Sequence, residues 1–248
     1  MAAYQEREYR VACRRRKLVA FTARVKETDL WIQAERDLSQ EAVVSIMNLR
    51  RGLEAYVLER PDFLRSLSPL TDDDLAPLLA RKMIQAGQLA GVGPMAAVAG
   101  AVAEAVAVDL MPLSPQVVVE NGGDTFLALD QDLTVGIWAG KSPLSGRLGL
   151  AVAAADMPIS VCTSSGTVGH SLSLGRADAA TVVAKDAALA DAVATGLGNR
   201  AGNRGELAAA LEWVQTVPGV RGALIVLDDR LAAWGEITLV DLTGSQDK

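Results

Sequence analysis

The stretch 160–200 constrains the fold of this chain more than any other part of the sequence. It reads SVCTSSGTVGHSLSLGRADAATVVAKDAALADAVATGLGNR. Apolar and β-branched residues at 159–162 and 180–184 predict two short strands. Asp186 has the position of a helix N-cap, which predicts a helix over 187–198. The chain is therefore expected to pass from a strand through a loop into a second strand, and then directly into a helix.

One face of the predicted helix has a composition that surface helices rarely show. Leu189, Val193 and Leu197 recur at helical spacing and predict the face that packs on the core. Asp191 and Thr195 are four residues apart, so they lie side by side on another face. No lysine, arginine or glutamate occurs between 187 and 199. Because a solvated helix face normally carries long charged side chains, this face predicts that another group approaches closely.

A run of small hydroxyl residues separates the two predicted strands. Thr163, Ser164, Ser165 and Gly166 predict a loop whose N–H and hydroxyl groups would bind phosphate oxygens. Cys162 begins this loop, where the same N–H groups would lower the pKa of its thiol and make it a thiolate. The alternative for Cys162 is a buried, inert thiol at the end of a strand.

His170 is the only histidine of the chain. It follows Gly169, a few residues after the hydroxyl-rich loop, and this setting makes it a candidate general base or phosphate donor. A structural hydrogen-bonding role is the alternative for a single histidine.

A second loop combines two glycines with polar residues. Asn121-Gly122-Gly123-Asp124 predicts a tight turn between strands over 116–120 and 125–129. Turn formation alone is a sufficient explanation for these four residues, so a functional role needs support from elsewhere.

The remaining patterns indicate the fold class. Further strands are predicted over 17–25, 30–34, 133–138, 148–153, 222–227 and 233–242, and further helices over 39–58, 75–89, 95–110 and 207–217. Ser39 is the predicted N-cap of the first helix. Strands occur in adjacent groups instead of alternating with helices, which predicts an α+β fold and not a Rossmann fold. Neither a strand-associated G-x-G-x-x-G motif nor a Walker A motif is present.

Composition bounds the class of protein. The chain has 248 residues, and half of them (50%) are hydrophobic, which suffices for one large domain or two small ones. The formal net charge of −6 argues against nucleic acid as the main partner. The two cysteines, Cys13 and Cys162, lie far apart without metal-ligand spacing, so both are expected to be reduced thiols in a cytoplasmic protein.

Two segments bear on membrane insertion and export. The first twenty residues lack the apolar region of a signal peptide. The uncharged stretch 83–103 is long enough for a membrane span, but its glycines and proline predict two buried helices that break at 91–94. No membrane partner is expected.

Three motifs resemble the ApbE-like superfamily: ENGGD at 120–124, CTSSGTVGHS at 162–171 and ADAVAT at 190–195. The characterised members of that superfamily are flavin transferases, which move FMN from FAD to a target protein. Most of the chain, including AWGEI at 233–237, more closely resembles an uncharacterised bacterial and archaeal branch. The resemblance implies an α+β fold of T-fold type, with mixed, mainly antiparallel sheets packed with helices. It also implies one domain over 1–248, with two subdomains near 1–112 and 113–248 as an option.

The same resemblance implies a ligand site. An aspartate and a threonine that match Asp191 and Thr195 hold Mg²⁺ against the FAD pyrophosphate in the superfamily, and hard oxygens suit this cation. The glycine-glycine-aspartate that matches 122–124 lies at the nucleotide site. Candidate nucleotide-binding residues are therefore those of the two loops; they are Asn121, Gly122, Gly123, Asp124, Thr163, Ser164, Ser165, Gly166 and Gly169. Candidate catalytic residues are His170 and Cys162.

One segment departs from the transferases. Their D-x-G-G-x-A-K-G motif has no match, and the corresponding stretch 91–100 reads GVGPMAAVAG without a charge. Three hypotheses follow: a Mg²⁺-dependent site for FAD or a related nucleotide or phosphate ligand, used for FMN transfer to an acceptor protein; a sulfur-metabolism enzyme or persulfide carrier that uses Cys162; and a non-catalytic ligand-binding protein. A second copy of the chain is a further candidate partner.

Overall fold

The computed structural model describes residues 17–166 and 175–243. The strands of these residues are β1 (Val19–Val25), β2 (Thr28–Ala34), β3 (Val117–Asn121), β4 (Asp124–Ala128), β5 (Leu133–Ile137), β6 (Leu148–Val152), β7 (Ile159–Ser164), β8 (Ala179–Ala184), β9 (Val220–Leu227), β10 (Arg230–Gly235) and β11 (Thr238–Asp241). The helices are α1 (Ser39–Glu59), α2 (Pro61–Arg65), α3 (Leu78–Ala90), α4 (Val98–Leu110), α5 (Ala187–Arg200) and α6 (Leu207–Gln215).

The strands form two open sheets. The large sheet has eight strands in the order β1-β2-β3-β4-β7-β8-β9-β10, and the small sheet has three in the order β11-β6-β5. Every neighbouring pair is antiparallel. The predicted α+β class with mainly antiparallel sheets is confirmed. The division of the chain into two subdomains near residue 112 stays a prediction.

The large sheet lies between the helices and the small sheet. On β3, Val117 and Val119 belong to the core that the helices cover, whereas Val118 belongs to a second core shared with the small sheet. Successive side chains of a strand point to opposite faces, and this alternation fills both cores. A central strand such as β3 is therefore apolar on both faces.

Helix α5 occupies the middle of the helical layer. The Asp186 Oδ1 accepts a hydrogen bond from the Leu189 N–H at 2.8 Å, so the predicted N-cap and the predicted helix are confirmed. The helix packs against α3, α4 and α6 as well as β7 and β8. Of its residues, Thr195, Asn199 and Arg200 alone are not buried. The face without long charged side chains is thus covered by the protein itself.

Helix α4 is the element that approaches this face. A Cβ added to Gly100 would lie 2.8 Å from the Asp191 Cβ and closer still to the Ala187 carbonyl oxygen. Two carboxylates bridge the same contact: the Asp191 Oδ2 accepts from the Gly100 N–H at 2.8 Å, and the Glu104 Oε2 accepts from the Ala187 N–H at 2.7 Å. The first N–H groups of a helix have no partner within it. Each helix therefore supplies the carboxylate that caps the other.

The chain turns sharply between α3 and α4. Gly91 ends α3 in the left-handed region, with a φ of 69°, and the axes of Leu78–Ala90 and Pro94–Leu110 form an angle of 104°. The predicted break at 91–94 is confirmed. Within 17–166 and 175–243, no single helix is long and apolar enough to cross a membrane.

Several predicted boundaries differ from the structure. Ser39 is the first residue of α1 and not its cap, because Leu38 holds the N-cap position without a side-chain hydrogen bond. Helix α3 begins at Leu78 and not near residue 75, since Pro77 disfavours helical backbone in the residue before it. The last predicted strand divides at Gly235, where a φ of 87° carries the chain from β10 into β11 of the small sheet.

Replacement of Gly100 by alanine tests the α4–α5 contact. We expect Gly100→Ala to lower the free energy of unfolding by about 1–3 kcal/mol, because the added methyl group overpacks a backbone contact. The matched control is Gly52→Ala in α1, where the nearest atom to an added Cβ is 3.9 Å away. That control should raise stability by about 0.5–1 kcal/mol. Urea unfolding followed by circular dichroism measures both, and equal effects would contradict the close contact.

Candidate functional site

The 121–124 turn is held by two buried or half-buried side chains. Gly122 and Gly123 have φ values of 69° and 112°, which only glycine adopts without strain. The Glu120 Oε1 accepts a hydrogen bond from the Gly123 N–H at 2.9 Å, and the Asn121 Nδ2 donates to the Ala99 carbonyl at 3.0 Å. The predicted turn is confirmed. Glu120, which fixes the turn, was not among the predicted site residues, and its place in ENGGD was its only signal in the sequence.

Asp124 connects this turn to strand β7. Its side chain is buried, and its Oδ1 accepts a hydrogen bond from the Thr163 N–H at 3.1 Å. The Thr163 and Thr181 hydroxyls lie 2.9 Å apart on neighbouring strands. Two of the motifs singled out in the sequence therefore meet through a direct contact.

Half of the hydroxyl-rich segment 163–166 is strand and not loop. Thr163 and Ser164 are the last two residues of β7, where they pair with Thr181 and Ala180 of β8. The Thr163 N–H is bonded to Asp124, and the Gly166 N–H donates to the Ala177 carbonyl at 2.9 Å. Both of these N–H groups are used within the protein, and binding of phosphate oxygens by the other groups of 163–166 stays a prediction.

Cys162 lies inside β7 and not at the start of a loop. Its side chain is fully buried (0% exposed), and its Sγ lies 3.7 Å from the Ala187 carbonyl oxygen. Burial raises the pKa of the thiol well above its usual range, and the nearby Asp124 and Asp191 carboxylates raise it further. The thiol is therefore neutral, and of the two possibilities that the sequence left open, the thiolate is not supported. The structure favours the alternative of a buried, inert cysteine.

Asp191 faces the start of α4. Its side chain is only 8% exposed. Burial raises its pKa from 3.8 to about 7, although the Gly100 and Ala99 N–H groups partly oppose this shift. Burial and repulsion from Asp191 also raise the pKa of Asp124 well above its usual value. The surroundings of these two neighbouring buried carboxyl groups thus disfavour their charged forms, an effect that a bound cation would reverse.

Thr195 lies one helical turn beyond Asp191 and is partly exposed. Within the part of the chain that is described, no group of three or more His, Cys, Asp and Glu side chains could hold a metal ion. A cation at Asp191 and Thr195 would therefore need further ligands from water or from a bound molecule. Mg²⁺ accepts such ligands readily, because it keeps several waters in most protein sites.

The structure brings together some of the predicted residues and leaves others apart. Asn121, Asp124, Thr163 and Asp191 converge around the start of α4. In this cluster Asp124 and Asp191 are buried, and Asn121 and Thr163 are half-buried. Gly169 and His170 lie outside the described residues, so their roles stay predictions.

A cavity of about 700 Å³ lies elsewhere, beside the C-terminal end of α5. Its lining includes Gly166, Arg176 and Arg204, and none of the three acidic or hydroxyl groups Asp124, Asp191 and Thr195. The sequence did not single out the two arginines, because they come from segments that are distant along the chain. Their only sequence signal is a glycine beside each of them.

Comparison with protein families shows which family the chain belongs to. A family model described as "AbpE bacteria" matches residues 10–212. A "UPF0280 protein" of Methanocella arvoryzae is 40% identical over 215 residues, which cover 86% of this chain and 87% of that protein. A second "UPF0280 protein", from Methanosarcina acetivorans, is 40% identical over 217 residues, with 86% and 85% covered.

Comparison with solved structures supports the fold. The flavin transferase ApbE from Vibrio cholerae has a TM-score of 0.54 at 14% identity, over 88% of this chain and 96% of that one. The apo form of the flavinyl transferase ApbE from Pseudomonas stutzeri also has a TM-score of 0.54, at 13% identity, over 88% and 94%. At such low identity the likeness concerns the fold alone.

The buried thiol gives a test of the Cys162 assignment. In the native protein we expect iodoacetamide at pH 8 to leave Cys162 unmodified, because its thiol is neutral and inaccessible. The same reagent should modify Cys162 fully in denaturant. Mass spectrometry of the peptide that contains Cys162 measures both states, and rapid native alkylation would contradict the structure.

The raised pKa of Asp191 gives a test of the carboxylate pair. The folded state holds a proton on Asp191 up to about pH 7, whereas the unfolded state releases it near pH 4. The contribution of Asp191 to wild-type stability should therefore fall as pH rises from 4 to 7, by up to about 1.4 kcal/mol per pH unit. In Asp191→Asn this contribution is absent, so its stability relative to wild type should rise over that window and level off above pH 7. Denaturant unfolding in the presence of a chelator measures the difference, and a constant difference would refute the shift.

Proposed function

The chain belongs to the family described as "AbpE bacteria", and from this premise we propose that it binds FAD or a related nucleotide together with Mg²⁺. We further propose that the bound nucleotide serves a transfer reaction like that of flavin transferases, with a protein as acceptor. The fold shared with two ApbE flavin transferases supports this reaction class. The cytoplasmic location stays a prediction.

The observation that carries the proposal is the convergence of three motifs at the start of α4. The Asn121 side chain reaches the Ala99 carbonyl, the Asp191 carboxylate reaches the Gly100 N–H, and Asp124 reaches the Thr163 N–H. These contacts join segments that lie tens of residues apart in the sequence. A site assembled from separate segments on rigid elements is typical of small-molecule binding.

The charge of this cluster suits a divalent cation. Asp191 and Thr195 supply a carboxylate and a hydroxyl oxygen on one side of α5, and such hard oxygens are the ligands that Mg²⁺ prefers. The raised pKa values of Asp191 and Asp124 mean that a cation would replace a proton there. Bound Mg²⁺ would neutralise the pyrophosphate charge of a nucleotide. The protein's own part is to hold the two oxygens on α5, a helix that is buried except at Thr195, Asn199 and Arg200.

The uncharged segment 91–100 is compatible with this proposal. Its contribution to the cluster comes from backbone atoms, the Ala99 carbonyl and the Gly100 N–H. Backbone groups are available whatever the side chains are. The segment can therefore support a ligand site without the charged residues of the transferase motif, although the transfer step loses whatever those residues contribute.

The sulfur-chemistry alternative has no support in the structure, because the Cys162 thiol is buried and neutral. A non-catalytic ligand-binding protein differs from the proposed transferase only in turnover. Binding of FAD without formation of a covalent FMN adduct on any acceptor would favour that alternative.

Titration of FAD with and without Mg²⁺ tests the nucleotide site. We expect the affinity of wild type for FAD to be at least about tenfold higher with Mg²⁺ than without it, since a cation-bridged phosphate contact is worth about 1.4 kcal/mol or more. In Asp191→Asn the dependence on Mg²⁺ should disappear, because the metal loses its carboxylate. Isothermal titration calorimetry gives the affinities.

The matched control is Asp74→Asn, which removes an exposed carboxylate in the segment before α3. It should behave like wild type in both titrations. Absent FAD binding in every protein, or equal binding with and without Mg²⁺, would reject the proposed site.

A further inference from the structure

The outward face of α1 carries more apolar surface than a solvated helix normally shows. Between 42 and 58 only one of the exposed residues is charged; these residues are Val44, Met47, Asn48, Arg51, Ala55 and Leu58. Met47 is 56% exposed and Leu58 is 83% exposed. Since the solvated face of a surface helix is usually rich in charged side chains, this face has the composition of a contact surface.

The segment before α3 extends the apolar face. Pro77 packs on the middle of α1, where a Cβ on Gly52 would lie 3.9 Å from the Pro77 Cβ. Four residues earlier, Asp73 accepts a hydrogen bond from the Tyr56 hydroxyl at 2.8 Å. The segment between these two contacts therefore runs along α1, and its Leu75 is 95% exposed. Single exposed apolar side chains are ordinary, but a patch that continues over two elements is typical of a protein–protein interface.

The middle of the face carries a cation that has no partner in the molecule. Within 17–166 and 175–243, Arg51 forms no ion pair. Glu54 lies three residues further along the same side of α1, and its half-exposed carboxylate pairs with Lys26 at 2.7 Å and with Arg50 at 2.8 Å. Arg50 also pairs with Glu27. Two cations and two carboxylates leave this group without net charge, so Glu54 remains open to a further cation.

The order of these residues determines how two such faces can pair. Met47, Arg51, Glu54 and Leu58 are separated by four, three and four residues, the spacing of contact positions in paired helices. When two copies pair antiparallel about a twofold axis near residues 52 and 53, Met47 meets Leu58 of the second copy, and Arg51 meets Glu54. In a parallel pair each residue meets its own counterpart, so Arg51 would meet Arg51. Because like charges repel across an interface, the antiparallel arrangement is favoured.

We propose that the α1 faces of two copies of this chain pair in this antiparallel way and form a twofold dimer. A twofold interface has to be complementary to itself, and this face meets that condition with both its apolar pairs and its charges. The 21 residues of α1 span about 31 Å, and a strip about 10 Å wide covers on the order of 300 Å² per copy. The segment at Leu75 widens this strip. Interfaces below about 1,200 Å² in total are weak, so the dimer dissociates on dilution. The proposal does not rest on the nucleotide site.

Sedimentation velocity of the full-length chain over a range of concentrations tests the dimer. We expect the mean mass of wild type to rise from that of one chain toward that of two. Met47→Glu and Arg51→Glu should each raise the dissociation constant about tenfold or more, because they place a carboxylate against Leu58 or Glu54 of the second copy.

Two matched controls carry the same changes to exposed positions elsewhere. Leu89→Glu alters the last turn of α3, and Arg230→Glu alters β10 at the edge of the large sheet. Both should leave the dissociation constant unchanged. Thermal unfolding at a concentration where wild type is a single chain should be the same for all variants, since the altered side chains are exposed.

Disulfide formation tests the orientation, in a chain with Cys13→Ser. We expect the Met47→Cys, Leu58→Cys double variant to form a covalent dimer on mild oxidation. Met47→Cys alone should not, because the two copies of residue 47 lie about 16 Å apart along the helix axes, whereas a disulfide needs Cα atoms within about 7 Å. A covalent dimer of Met47→Cys alone, equal weakening by Met47→Glu and Leu89→Glu, or a wild type that remains a single chain at every concentration would overturn the proposal.

Discussion

The exchange of carboxylates between α4 and α5 is the interaction on which the rest of the structure depends. Glycine at position 100 lets the two helices approach until backbone meets backbone. At that distance Asp191 reaches the start of α4 and Glu104 reaches the start of α5. A carboxylate at a helix N-terminus satisfies free N–H groups and opposes the helix dipole. Both helices are held in register in this way, and α5 in turn supports β7 and β8 of the large sheet.

This arrangement also determines the chemistry of the cluster. Asp191 is buried because it caps α4, and burial is the main cause of its raised pKa. Asp124 lies close enough for the two charges to repel each other. A purely structural cap is commonly solvated at the surface, where a carboxylate keeps its ordinary pKa. Here the cap and the candidate cation ligand are the same side chain, so folding and ligand affinity share one titrating group.

Local signals in the sequence predicted much of this architecture, and contacts between distant segments account for the errors. The Asp186 cap and the glycines of the 121–124 turn act within a few residues, so α5 and the turn follow from sequence alone. Thr163 belongs to a strand because it pairs with Thr181, a partner that no local pattern reveals. The small-residue face of α5 correctly predicted a close neighbour, but the neighbour is α4. The cavity at Arg176 and Arg204 could not be predicted, since it exists only where separate segments meet.

The segment 91–100 meets its partners through peptide groups, and this has a consequence for how the chain tolerates change. Val92, Pro94 and Ala97 are buried, and a Cβ at Gly93 would overlap the Ser66 carbonyl oxygen, so change is restricted at these positions. Related chains are therefore expected to differ at the half-buried positions of the segment, while they keep the bend near 91, the missing Cβ at 100 and the helix junction. A comparison that looks for shared ionisable residues in this segment would pass over such relatives, whereas one that looks for the bend and the missing Cβ would find them.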